Sequence, residues 1–123
     1  NLVRLSQIID LVDKPDLLFQ SHQGSYPHQL NKEESIFARL QIEDVLIHQP
    51  FESFSGVLDF LRQAVNDPKV LAIKQTIYRT GIDSELMDLL REAVLRGKEV
   101  TAVVEIKARF DEEANINWGR KLR

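Results

Sequence analysis

Val103-Val104-Glu105-Ile106-Lys107-Ala108-Arg109-Phe110-Asp111-Glu112-Glu113 contains a change of backbone state on which the rest of the chain depends. Val103, Val104 and Ile106 supply the β-branched apolar bulk of a strand. Asp111, Glu112 and Glu113 then precede Ala114-Asn115-Ile116-Asn117-Trp118, and acidic residues before such a run favour a helix start because they face the unpaired N–H groups of the first turn. Arg109 therefore falls between the end of a strand and the beginning of a helix. In open α/β sheets that edge is where ligands bind.

Working outward, the same alternation recurs. Val70 to Tyr78 reads as a strand, and Asp83 or Ser84 caps a helix whose apolar positions are Leu86, Leu89, Leu90, Ala93 and Val94. Gly97 stands where such a helix stops. The next strand is Glu99 to Lys107, and a last helix begins near Glu112. Upstream, Asp44-Val45-Leu46-Ile47-His48 suits a short strand ended by Pro50. Ser53 can cap a helix with Phe54, Val57, Leu58, Leu61, Ala64 and Val65 inside. Residues 33–41 suit a short helix, and residues 1–13, with Leu2, Leu5, Ile8, Ile9 and Val12, an amphipathic one. The expected fold class is α/β: three β-α units with a mostly parallel sheet, preceded by a short helical segment. Parallel strands are expected to be buried on both faces. The polar stretch from Gln20 to Lys32, with Gly24 and Pro27, reads as a linker. It divides residues 1–32, the end of a preceding helical domain plus the linker, from a domain over 33–123. The start at Asn1 and the stop at Arg123, inside helical periodicity, suggest a piece of a larger protein.

Composition narrows the function classes. A net charge of −3 is unlike that of an electrostatically driven nucleic-acid binder. The absence of cysteine excludes disulfides, thiolate nucleophiles and Cys-based zinc sites. No apolar run approaches bilayer-spanning length, and a cytoplasmic location is expected.

Two arginines stand out. Arg79 ends one expected strand and Arg109 follows the next, so neighbouring strands about 5 Å apart would bring both guanidinium groups to one anion. Each offers a rigid donor fork suited to phosphate and keeps its charge. The competing reading pairs them with Asp83, Asp111 or Glu113. Lys74 and Glu105 are charges in apolar strands, paired or in a site. Asp111, Glu112 and Glu113 suit either magnesium or helix capping. His48 ends the first expected strand near the arginines, either in the site or packed there. His22 and His28 read as solvated, and Tyr78 and Trp118 as core or interface aromatics. There is no Gly-x-Ser-x-Gly elbow, Walker loop or Gly-x-Gly-x-x-Gly fingerprint, so the residues alone assign no nucleophile.

Val70-Leu71-Ala72-Ile73-Lys74-Gln75-Thr76-Ile77-Tyr78-Arg79-Thr80 and Val104-Glu105-Ile106-Lys107-Ala108-Arg109-Phe110-Asp111-Glu112-Glu113-Ala114-Asn115-Ile116 resemble two signature blocks of the polyphosphate kinase family of phospholipase-D-like type. Asp44-Val45-Leu46-Ile47-His48-Gln49-Pro50-Phe51-Glu52-Ser53-Phe54 resembles a third, although Gln49 stands where the family commonly has a second histidine. The resemblance covers residues 33–123. It implies a phospholipase-D-like half domain within an ATP:polyphosphate phosphotransferase, which passes the ATP γ-phosphate through a phosphohistidine to polyphosphate and can run in reverse. By the same resemblance Arg79 and Arg109 meet the phosphoryl group and its Mg²⁺, with Lys74, Glu105 and His48 as supporting candidates. Guanidinium has no lone pair, so the metal would be held through phosphate. The implied partners are ATP or ADP and polyphosphate, with no nucleic acid. The complete protein would be a homo-oligomer, cytoplasmic or peripheral to the inner membrane. The phosphorylated histidine belongs to a His-x-Lys motif expected beyond Arg123, so this chain alone is expected to be inactive. Two alternatives are a phospholipase-D-like phosphodiesterase or phosphatidyltransferase, marked by a downstream His-x-Lys-x-x-x-x-Asp, and a non-catalytic anion-binding module.

Overall fold

The computed structural model describes residues 4–5, 7–30, 34–79 and 84–121. In chain order these form α1 (Gln7–Leu11), a 3-10 turn (Pro15–Leu17), α2 (Ile36–Leu40), α3 (Ser55–Asn66), β1 (Ala72–Ile77), α4 (Glu85–Leu95), β2 (Glu99–Val104) and α5 (Glu112–Lys121). Leu2 of the expected first helix and the candidate cap Asp83 lie outside the described residues.

β1 and β2 pair in parallel, from Ala72 opposite Glu99 to Ile77 opposite Val104. Side chains alternate across a strand, so one face carries Ile73, Gln75 and Ile77 with Val100, Ala102 and Val104. That face meets Leu61, Ala64 and Val65 of α3, Met87, Leu90 and Ala93 of α4, and Trp118 of α5. Met87, Leu90 and Ala93 are completely buried. Covering a leucine or methionine in this way contributes about 1.5–3 kcal/mol. Val94, expected inside, lies at the margin of the α4 stripe and is exposed; Met87 takes the interior place.

The other sheet face is open. Ala72, Lys74 and Thr76 on β1 and Glu99, Thr101 and Val103 on β2 are all exposed. The expectation of burial on both faces is therefore corrected: a single layer of helices covers the described sheet. Lys74 and Glu105 need no buried ion pair, because both are exposed and neither has an ionic partner among the described residues.

α4 ends in paired hydrogen bonds from Gly97 N–H to Val94 O (2.9 Å) and Lys98 N–H to Ala93 O (3.0 Å). Gly97 at φ 82° supplies the left-handed residue that this ending requires. Lys98 Nζ then donates to Asp67 O (2.6 Å) and Val70 O (2.7 Å), tying the start of β2 to the turn before β1. Arg62 of α3 reaches Asp59 on its own helix and Glu85 at the start of α4.

The first expected strand does not form. Residues 44–48 carry no β-ladder. Their amides are taken by side chains instead: Leu46 N–H donates to Gln29 Oε1 (3.0 Å) and His48 N–H to Glu52 Oε2 (2.8 Å). Ser53 is displaced as a cap as well, because α3 begins at Ser55 with Phe54 in the N-cap position.

Residues 24–30, polar in sequence, are docked against the chain around Glu52 rather than forming a free linker. Pro27 and Leu30 are buried. Ser25 bridges Glu52 through Ser25 N–H to Phe51 O (2.9 Å) and Ser53 N–H to Ser25 O (2.7 Å). Gly24 permits the approach, since a Cβ there would stand 2.7 Å from Pro50 O. At the centre, the Glu52 carboxylate accepts from His48 N–H (2.8 Å), His28 N–H (2.9 Å) and His28 Nδ1 (2.5 Å). His28 is thus bonded rather than merely solvated. His22 Nε2–H likewise donates to Pro50 O (3.1 Å).

α1 is shorter than the apolar pattern suggests. Leu5, Ile8, Ile9 and Val12 surround a hollow with Leu17, Leu18 and Phe19, all substantially exposed.

The donors around Glu52, first the His48 amide and then the His28 amide and ring, lower its pKa from 4.5 to about 2. A carboxylate with a depressed folded-state pKa stabilises the fold above its unfolded pKa, and that contribution is lost as pH falls toward the folded value. Urea unfolding of wild type and Glu52→Gln between pH 6 and pH 2 should show a stability gap that is full above about pH 4.5 and closes by about pH 2. A gap that does not vary with pH would contradict the assignment.

Candidate functional site

The site grows from the last pair of the parallel ladder. Beyond Ile77 and Val104, Glu105 N–H still donates to Ile77 O (2.9 Å), so the two chains leave the sheet side by side. Two residues after Ile77 comes Arg79, stacked near the Tyr78 ring with its guanidinium carbon 5.1 Å from the centroid. On the β2 side the chain turns: Lys107 N–H bonds Glu105 Oε1 (2.8 Å) and Asp111 N–H bonds Ala108 O (3.0 Å). Ala108 is completely buried at the base of this turn, leaving Arg109 and Phe110 exposed at its tip.

The two arginines are brought together. Arg79 Nη2 donates to the backbone oxygen of Arg109 at 2.9 Å. Neither guanidinium forms an ion pair with any described carboxylate. Pairing with Asp111 or Glu113 is therefore absent, and Asp83 lies outside the described residues. One of the five N–H donors of Arg79 is committed to the carbonyl; among the described residues no carboxylate takes the rest of its fork or that of Arg109.

Phe110, next to Arg109, adopts φ 78°, a left-handed conformation that costs a non-glycine residue about 1–2 kcal/mol. Its ring is exposed, so little packing offsets that cost. Strain of this kind gathers at functional turns. Beside it a cleft of ≈ 380 Å³ is lined by Phe110, Asp111, Glu113, Trp118 and Lys121 among others. Lys121 Nζ sits 4.5 Å from the Trp118 ring centroid. The cleft mixes both signs of charge, and neither Arg79 nor Arg109 lines it.

The supporting candidates behave differently. Lys74 is exposed on the open sheet face, three residues before Ile77 at the end of β1. Glu105 bonds the Lys107 amide and so shapes the turn that carries Arg109. His48 is not gathered into this cluster; its contacts are with Glu52 and with the Phe51 ring, 5.1 Å away. The strand that would have carried it to the sheet edge is missing because Gln29 and Glu52 take its amides. Among the described residues no three His, Asp or Glu side chains are grouped to hold a metal ion. Glu112 and Glu113 lie in the first turn of α5, and Asn115 N–H bonds Asp111 O (2.9 Å) just before it.

Sequence reasoning missed Asn115. It is fully buried, and its Nδ2 donates to both Tyr78 O and Glu105 O, each at 2.7 Å. A polar residue amid the apolar positions of a last helix was the available signal.

A parallel β-α-β unit that brings Arg79 and Arg109, neither with a carboxylate partner among the described residues, to one sheet edge defines an α/β domain. The family model described as "Polyphosphate kinase C-terminal domain 1" matches residues 35–123, and the chain belongs to that family. Polyphosphate kinases of Burkholderia lata and Paraburkholderia phytofirmans are each 57% identical to it over 122 residues, covering 99% of this chain. The chain spans 18% of the length of those curated relatives. The crystal structure of polyphosphate kinase from Porphyromonas gingivalis superposes with a TM-score of 0.70 at 26% identity, over 93% of this chain and 18% of that one. No helix among the described residues is long and apolar enough to cross a membrane.

The conformation of Phe110 reverses an ordinary preference. Glycine usually destabilises relative to alanine, yet at a left-handed position alanine carries the steric cost. Phe110→Gly should therefore be more stable than Phe110→Ala by about 1 kcal/mol in urea unfolding. Alanine equal to or better than glycine would show that the turn does not hold Phe110 at positive φ.

Proposed function

We propose that this chain is part of an enzyme that reversibly moves the γ-phosphoryl group of ATP onto polyphosphate through a phosphohistidine. In this reading Arg79 and Arg109 clamp the phosphoryl group in flight. Membership of the family, and the activity for which the similar Burkholderia proteins are named, support the reaction class. The observation that carries the site is the 2.9 Å hydrogen bond from Arg79 Nη2 to the backbone oxygen of Arg109, two arginines whose guanidinium groups have no carboxylate partner among the described residues.

The chemistry follows from the geometry. Phosphoryl transfer spreads negative charge over the equatorial oxygens, and fixed donors aimed at that charge lower the barrier. Because Arg79 is already anchored on the Arg109 backbone, the fork is partly pre-oriented before an anion arrives, and less rotamer freedom is lost on binding. The described side chains do not form a magnesium cage, and arginine cannot ligate the ion. A magnesium ion, where one takes part, would be held beside Arg79 and Arg109 through the phosphate they bind and would supply charge neutralisation there. The histidine that carries the phosphoryl group lies outside these residues, so the chain by itself transfers no phosphate. In the complete protein we expect a cytoplasmic homo-oligomer, in part peripheral to the membrane.

In a complete kinase carrying this segment, Arg79→Ala and Arg109→Ala should each slow ATP-driven polyphosphate synthesis about 10²–10³-fold, the usual effect of removing one charge-stabilising donor. Synthesis at the wild-type rate in both variants would reject the clamp.

A further inference from the structure

We infer that Asn115 is a positioning residue for the arginine pair: it fixes the spacing between the chain segments that carry Arg79 and Arg109. The inference rests on the clamp reading given above. Asn115 lies on α5, four residues after Asp111 and completely buried. Its Nδ2 donates at 2.7 Å to Tyr78 O, the carbonyl immediately before Arg79, and at 2.7 Å to Glu105 O, the first carbonyl beyond β2. A single NH₂ group thus joins the outgoing ends of both strands to the helix that follows Arg109.

The orientation of the amide is settled by chemistry. Turning it over would place Oδ1, an acceptor, against two carbonyl oxygens. In the observed orientation both Nδ2 protons are used, and Oδ1 is left buried without a partner among the described residues. A buried acceptor in that state is costly, and asparagine is a poor helix former, so local stability does not account for the residue. The two carbonyl bonds do. They act where the ladder has ended: Glu105 N–H to Ile77 O is the last backbone bond between the strands before the chains diverge. Beyond it, the described ties across the gap are Asn115 and the contact of Arg79 with Arg109 O. Without Asn115, Tyr78 and Glu105 each lose a donor, and the spacing of the chain segments that carry the two arginines is no longer tied to the helix.

Asn115→Leu keeps the forked shape of the side chain, with bulkier methyl ends, and removes both donors. In the complete kinase it should fold, lower kcat at least tenfold, and do so by less than twofold once Arg79→Ala is already present. An unchanged kcat, or the same tenfold loss in both backgrounds, would overturn the inference, because a purely structural residue lowers activity whether or not Arg79 is there. If Asn115→Leu does not fold, the wild-type kinase labelled with ¹⁵N-asparagine decides. The Asn115 Nδ2 resonance should shift when inorganic tripolyphosphate is added, and a resonance that stays fixed at saturation overturns the inference. Arg79→Ala with undiminished activity would instead remove the clamp itself, a separate failure.

Discussion

Ile77 and Val104 face each other as the last pair of a two-stranded parallel ladder, and the site depends on that register. Parallel strands leave a sheet in the same direction, so the residues that follow them emerge at one edge. Ile77 and Val104 also point to the same face, onto α3 and α4, and this burial fixes the phase of both strands. A slip of one residue in either strand would turn its apolar set toward solvent and move its arginine out of step with the other. Hydrophobic burial thereby determines where two charges end up.

Past the ladder, polar contacts take over. Glu105 shapes the turn that exposes Arg109, Phe110 holds that turn in a left-handed conformation, and Asn115 ties both outgoing chains to α5. The arginines themselves are free of carboxylates among the described residues. An anion would therefore meet donors that are oriented but not already neutralised, which is the condition under which a charged clamp contributes most.

Much of this could be read from the residues. The α4 stripe, Gly97 at its end, the two parallel strands and the placement of Arg79 and Arg109 at one edge follow from periodicity and helix-end signals that act over a few residues. What could not be read depends on side chains reaching far along the chain. Val45, Leu46 and Ile47 have the composition of a strand, but Gln29 and Glu52 claim the neighbouring amides, and no local pattern reveals a competitor seventeen residues away in sequence. His28 and Glu52 meet across a stretch whose polarity resembles a linker. The open sheet face escaped because a strand bounded by Val and Ile on both sides reads as buried twice over, whereas Leu71 and Val103 are exposed. Asn115 was visible only as an asparagine in a helix, and its two carbonyl partners lie ten and thirty-seven residues away.

The central claim is that Arg79 and Arg109 act on a single anion. A double-mutant cycle reads this directly: the affinity of the complete kinase for inorganic tripolyphosphate, measured calorimetrically for wild type, Arg79→Ala, Arg109→Ala and the double variant. Two arginines sharing one anion should be coupled by about 1 kcal/mol or more, so that the second removal costs much less than the first. Losses that add to within about 0.5 kcal/mol would mean that the arginines act independently, and would contradict the shared site.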